Sequence, residues 1–321
     1  MTSVQSLAEL SALIQQVRQA AKALAKVEHT TQALHRLAKA LRAATDTILE
    51  ANTLDLEASL EMAVPETVVE WLKLTPERLN TAIAIVERLA NLDAVTSFTY
   101  DSQLAIAPTT HSYLLGEPLG IVAFVYEAFP ELAIVVAGLC LRAGNGLMLK
   151  GGHEASQTNQ AIAQVFQSAL TQADLPAQVV LAISPSEGEA ARRWLMQTTE
   201  LDLLIPYGRT SLVEQVMREA NSPSLSTAIA NCYLYWSHAV PTERVASMVI
   251  DSHCGNPEPV NGIEKILVDV KVSDSDIQAL SQQLKAQQLT VKIVPPPSMS
   301  PFTNPEEEEH WHEAQLDHSV M

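Results

Sequence analysis

Residues 118–155 read PLGIVAFVYEAFPELAIVVAGLCLRAGNGLMLKGGHEA, and the fold class is decided there. IVAFVY (121–126) is a short β-rich run that is apolar at every position. Unbroken apolarity predicts a strand covered on both faces, where a half-exposed strand would alternate. Pro130 then opens an apolar helix, since a first helical turn tolerates a missing N–H. Gly144-Asn145 supplies its C-terminal cap. LMLK (147–150) is the next strand, followed by Gly151-Gly152.

The same rhythm continues downstream. Residues 154–173 read as a helix, VVLAI (179–183) as a strand, 187–198 as a helix, LDLLI (201–205) as a strand and 210–220 as a helix. Strands and helices alternating through short links predict an α/β fold with a doubly wound, Rossmann-like parallel sheet. Upstream, residues 1–92 are helical almost throughout. Leu7, Leu10, Ile14, Val17, Ala21 and Leu24 recur at three- and four-residue intervals and build one apolar stripe. Thr75-Pro76-Glu77-Arg78 is a helix start: hydroxyl cap, proline in the first turn, acid at the positive end of the dipole. Phe98, Tyr100, Leu104, Ile106 and Tyr113, set among Thr, Ser and Pro, suggest one or two exposed strands. Beyond residue 233 a second, partial α/β lobe is expected: strands at LYW (234–236), IEKILV (263–268) and TVKIV (290–294), helices from Thr242 to Ile250 and over 273–289. Pro295-Pro296-Pro297 ends regular structure. The division expected is 1–232 for helices plus nucleotide-binding domain, 233–294 for a truncated catalytic-type lobe, and 295–321 for an acidic tail.

Of the 321 residues 47% are apolar and 18% charged, a globular composition. Twenty Lys and Arg against 37 Asp and Glu leave a net charge of −17, which argues against nucleic acid or an anionic membrane surface as partner. A local basic patch could still hold an anionic cofactor. The longest apolar run, 132–141, is too short to span a bilayer, and the N-terminus has helical spacing in place of a cleavable signal. Cys140, Cys232 and Cys254 are odd in number and lack metal-ligand spacing, which favours a reducing cytoplasm and no metal. His310, His312 and His318 stand beside EEEE (306–309) and read as a solvated tail.

Several motifs occur in order. EANTLDLEA (50–58), LTPERL (74–79), the block 118–155, DLLIPYGRTSLV (202–213), NCYLYW (231–236) and NPEPVNGIEKILV (256–268) together resemble the γ-glutamyl phosphate reductases (glutamate-5-semialdehyde dehydrogenases), which have the aldehyde dehydrogenase fold. The resemblance implies NADPH-dependent reduction of γ-glutamyl phosphate to glutamate-5-semialdehyde, with release of phosphate, in proline biosynthesis. It also implies that Lys150, Gly151, Glu154 and Gly208 belong to a nucleotide site. Read without it, Lys150 is a strand-end lysine and Glu154 an acid at a helix start.

The departures cluster at chemistry. Val260 stands where the family's Arg-Pro-Ser-Val-Cys-Asn-Ala-Ile-Glu carries its nucleophilic cysteine, and the register from Cys232 to Val260 needs no gap. A thiolate is needed to displace phosphate and hold the acyl group, and an isopropyl group has no lone pair to attack with. The family's Tyr-Glu-Ala/Ser-Arg-Pro-Asn reads Tyr126-Glu127-Ala128-Phe129-Pro130-Glu131, and its Ile-Pro-Arg-Gly-Gly reads Ile205-Pro206-Tyr207-Gly208-Arg209. The expectation is a shortened, divergent member without turnover, acting as a nucleotide-binding or interaction module beside a full-length relative or another protein. Two alternatives stand. One is a working reductase with a relocated nucleophile, for which Cys254 next to His253 is the weak substitute. The other is a structural subunit without nucleotide binding.

Overall fold

The structure, a computed structural model, describes residues 1–92, 98–100, 113–184, 188–227, 232–254, 262–293 and 319–320. Contacts divide the chain into two compact units, Met1–Thr227 and Ala228–Met321.

The first unit opens with five helices: α1 (Leu7–Ala21), α2 (Val27–Ala43), α3 (Thr45–Glu61), α4 (Glu66–Leu72) and α5 (Pro76–Ala90). The predicted cap of α5 is present, with Thr75 Oγ1 accepting from Arg78 N at 3.2 Å. A pair of antiparallel strands follows, β1 (Phe98–Tyr100) and β2 (Tyr113–Leu115). Leu104 and Ile106 lie outside the described residues. The sheet comes next: β3 (Ile121–Tyr126), α6 (Pro130–Ala143), β4 (Gly146–Gly151), α7 (Ser156–Gln172), β5 (Val180–Ala182), α8 (Gly188–Gln197), β6 (Leu203–Tyr207) and α9 (Thr210–Glu219). All pairings are parallel and the order is β5-β4-β3-β6.

Both faces of the sheet are buried, which explains the unbroken apolar runs. Val122, Phe124 and Tyr126 of β3 join α2, α5, α6 and α7 in one core cluster. Ile121, Ala123 and Val125 join α1, α8 and α9 in another. Leu10, Ile14 and Val17 are the buried part of the α1 stripe, while Leu7 in the first turn is 44% exposed. The last strand lies two residues later than LDLLI predicts. Asp202 is held outside it, its carboxylate accepting from Ile121 N at 2.7 Å and pairing with Arg18 at 2.8 Å. Pro206 is accommodated because β6 is the last strand of the described order.

EANTLDLEA proves architectural. Asp55 of α3 accepts from Gln157 N, Thr158 N and Thr158 Oγ1 at 2.7–2.9 Å, capping α7 from a distant helix. Asn52 accepts from Leu74 N and donates to Leu72 O, both at 2.9 Å, and so fixes the link into α5.

The second unit has β7 (Tyr233–Trp236), α10 (Thr242–Ser252), β8 (Lys265–Val268), α11 (Asp274–Ala286), β9 (Thr290–Val291) and β10 (Ser319–Val320). β7 and β8 are parallel, and Trp236 fills a core with Val245, Val249, Leu280 and Leu284. Regular structure does not end at the proline run, because Ser319 and Val320 pair in parallel with β9. His310, His312 and His318 lie outside the described residues.

Candidate functional site

In a doubly wound sheet, ligands sit beyond the carboxyl ends of the strands where the order reverses. Here that place is between β3 and β6, whose exits are Glu127–Phe129 and Gly208–Arg209, with the β4 exit at Gly152 beside them. The chain leaves β3 through two left-handed residues without glycine, Ala128 (φ 50°) and Phe129 (φ 36°). Each such residue costs about 1–2 kcal/mol, so neighbours must hold the turn. Ala128 N donates to Glu154 Oε1 at 2.6 Å. The Phe129 ring stacks on Trp71 (5.1 Å, 22°) and meets Tyr207 edge-on (5.4 Å, 88°). Phe129 is 7% exposed and Trp71 6%.

The charged groups around this aromatic cluster are paired. Glu127, 8% exposed, takes both arms of the Arg209 fork: Nε to Oε2 and Nη2 to Oε1, each 3.0 Å. Arg209 N also points at Glu127 Oε2, 3.2 Å away. Such a bidentate, charge-assisted pair is strong and directional. The hydrogen bond to Glu127 raises the already high pKa of Arg209. Gly208 allows the close approach, with φ 149° and an added Cβ 2.9 Å from Glu127 Cβ. Glu131 in the first turn of α6 pairs with Arg78, which also donates to Trp71 O at 3.1 Å and to Lys73 O. The Arg78 guanidinium lies 5.9 Å from the centre of the Phe129 ring.

Lys150, Gly151, Glu154 and Gly208, proposed from sequence, all lie at this end of the sheet. Lys150 Nζ donates to Gly151 O at 2.8 Å, and the residue is 5% exposed. Glu154 lies in a single turn, His153–Ala155, ahead of α7, its carboxylate over Gly152. Tyr126 donates to Asn159 Oδ1 at 2.8 Å. Burial, reinforced by the Glu154 and Glu131 carboxylates, pushes its phenol well above the ordinary range. It therefore stays a neutral donor. Sequence reasoning missed Arg78 and Trp71. Their helical surroundings carry no signal of the crevice.

In the second unit, Val260 and the rest of 255–261 lie outside the described residues, as do 228–231. The two sides of that segment are tied at the base. Ser252 Oγ accepts from Ile263 N at 3.1 Å, and His253 Nε2 meets Ile263 O at 3.0 Å. A carbonyl only accepts, so His253 carries its proton on Nε2 and spends it there. Cys254 is exposed beside it. Burial and then the Glu264 carboxylate raise the Cys232 thiol, and burial pushes Cys140 up to about 12. Lys265 is fully buried, 3.7 Å from Glu264 and 5.6 Å from the Tyr233 ring centre. Burial lowers its pKa and Glu264 opposes that. Among the described residues no group of His, Cys, Asp or Glu is placed to hold a metal ion, and no helix is long and apolar enough to cross a membrane.

The NADPH that the resemblance implies does not fit this crevice as it is arranged. Two backbone amides that face it, Ala128 N and Arg209 N, already donate to the carboxylates of Glu154 and Glu127. The cations Arg78 and Arg209 are likewise committed to glutamates. A pyrophosphate would face carboxylates and aromatic edges.

Comparison with known proteins gives one consistent result. The model of the aldehyde dehydrogenase family matches residues 3–318. "Gamma-glutamyl phosphate reductase 2" of Synechocystis sp. is 42% identical over 260 residues, which are 80% of this chain and 61% of that one. "Gamma-glutamyl phosphate reductase" of Gloeobacter violaceus is 32% identical over 316 residues, 96% of this chain and 74% of that one. Against the first of these the chain spans less than two thirds of the relative's length. The crystal structure of γ-glutamyl phosphate reductase from Thermotoga maritima superposes with a TM-score of 0.80 at 25% identity, covering 97% of this chain and 76% of the other.

Proposed function

This chain belongs to the aldehyde dehydrogenase family, and within it to the γ-glutamyl phosphate reductases, and we propose that it keeps their fold without their turnover. The observation that carries this reading is Val260, in line with the reductases' nucleophilic cysteine. The parent chemistry, reduction of γ-glutamyl phosphate by NADPH to glutamate-5-semialdehyde and phosphate, runs through a thioester that valine cannot form. Loss of an essential nucleophile removes on the order of 10⁶ in rate.

The described cysteines support the same reading. Cys140 is buried with a raised pKa, and Cys232 is raised too, so both are poor thiolates. Cys254 is exposed beside His253, whose Nε2–H is bound to Ile263 O, and side chains adjacent in sequence rarely aim their functional atoms at one another. The chain would act by binding a partner, either a full-length relative or another protein. Its free cysteines suit a reducing compartment, the cytoplasm.

The test is turnover by the purified chain in the favourable direction for assay: glutamate-5-semialdehyde, phosphate and NADP⁺, followed by NADPH absorbance. No formation above the enzyme-free blank is expected. NADPH formation that disappears in Cys254→Ala would establish the relocated-nucleophile reading in its place.

A further inference from the structure

Four positions at the β3 and β6 exits differ from the reductase pattern, and in the structure they meet one another or one shared set of neighbours. Phe129 and Tyr207 stand where the pattern has two arginines, and their rings touch edge-on at 5.4 Å. Glu131 stands for asparagine and takes Arg78. Arg209 stands for glycine and takes Glu127. Two arginines facing each other repel unless an anion lies between them, whereas two aromatic rings attract and need nothing between them. Glutamate at 131 neutralises Arg78. Arginine at 209 places its guanidinium over the Glu127 carboxylate at the mouth of the same crevice.

We propose that Phe129, Glu131, Tyr207 and Arg209 act as one unit, a plug that sets the ligand specificity of the crevice and excludes phosphate-bearing dinucleotides. In charge, Arg78 is paired with Glu131 and Arg209 with Glu127, and the remaining cation, Lys150, is turned back onto Gly151 O. The plug is complete in shape, since Trp71, Phe129 and Tyr207 form a continuous aromatic row with Phe129 almost fully buried. It is also held against backbone strain, because Phe129 keeps a left-handed conformation supported by its ring contacts and by the Ala128–Glu154 hydrogen bond. The inference rests on the family reading given above, but not on the loss of turnover.

The experiment is thermal unfolding of the full chain with and without millimolar NADPH, and separately with inorganic pyrophosphate, for the wild type and for F129R/E131N/Y207R/R209G. The wild type is expected to show no shift with either probe. The fourfold variant is expected to gain about 3 °C or more with NADPH, as ligand binding to the folded state alone requires. A saturable shift in the wild type overturns the proposal. So does a folded fourfold variant that still ignores both probes. Should that variant fail to fold, the wild-type titration and Arg209→Gly decide. Freeing Glu127 and reopening the mouth is expected to give a small pyrophosphate shift, and none would overturn the role of Arg209. Binding by the wild type without turnover would sink this inference alone; turnover, which requires the dinucleotide, would sink both this inference and the loss of catalysis proposed above.

Discussion

The crevice of the first unit and the nucleophile segment of the second depart from the reductase pattern in different ways. In the crevice each altered side chain has a partner: Phe129 with Trp71 and Tyr207, Glu131 with Arg78, Arg209 with Glu127. In the second unit the Ser252 and His253 side chains hold the Ile263 backbone, and among the replacements in 256–264 the one that falls on the reductases' nucleophile is Val260. A single lost thiol is reached by one substitution. A set of mutually satisfied contacts requires several changes that depend on one another. On the reading proposed above, the difference teaches that the crevice is rebuilt as packing, while the nucleophile position has lost its thiol.

If that is right, breaking one partner in the crevice should be costly. Arg78→Met leaves the Glu131 carboxylate, 14% exposed at its side chain, without its guanidinium. A destabilisation of about 3–5 kcal/mol is expected, seen as a fall of about 10 °C in unfolding temperature. A change below 1 kcal/mol would reduce the pair to a surface contact. Glu131→Gln, which keeps shape and removes charge, should cost less than Arg78→Met.

The ring of Phe129 comes next, and a pair of variants separates its packing from its backbone. Phe129→Ala should cost about 3–5 kcal/mol through the lost contacts with Trp71 and Tyr207. Phe129→Gly removes one carbon more, yet relieves the left-handed strain at φ 36°. It should be the more stable of the two by about 1 kcal/mol. Equal melting temperatures would mean that the turn stores no strain.

Much of this architecture was legible in the sequence. Burial on both faces imprints itself locally, so β3 and β4 stood out as unbroken apolar runs, and Thr75-Pro76 announced α5. The start of β6 was misplaced because Asp202 is drawn out by Arg18, 184 residues away, an interaction no window detects. The crevice was half legible. Lys150, Gly151, Glu154 and Gly208 were assigned to one site through the family resemblance, and the four altered positions were readable as departures from it. Their compensation was not. Arg78 and Glu131 are 53 residues apart, Arg209 and Glu127 82 apart, and a sequence does not say which base meets which acid. Asn52 and Asp55 show the converse. Their motif matched the family while their work, capping α7 and fixing the α4–α5 link, needed the fold to be seen.

A smaller effect should come from the second unit's own ion pair. His238 Nδ1 lies 2.9 Å from Asp269, and that hydrogen bond, with one from Lys271 N, lowers the Asp269 carboxyl to about 2. A carboxyl held below its ordinary 3.8 adds stability that is fully present above the unfolded value and is lost as pH falls toward the folded one. Asp269→Asn should therefore lie below the wild type in stability at pH 5 and converge with it near pH 2. Parallel curves over that range would exclude the pair as a source of acid sensitivity, in contrast to the buried pair in the crevice.

The smallest expected effect separates the two regions most sharply. Val260→Cys restores the one atom missing from the nucleophile segment. If that loss were the whole story, semialdehyde-dependent NADPH formation should appear in the single variant. The plug requires otherwise: the hydride carrier is kept out of the first unit whatever stands at 260, so turnover should stay at the wild-type blank. Adding Val260→Cys to F129R/E131N/Y207R/R209G should then raise turnover above either parent, because each change removes a different block. Activity in Val260→Cys alone would make the crevice pairs bystanders and return the whole explanation to a single side chain.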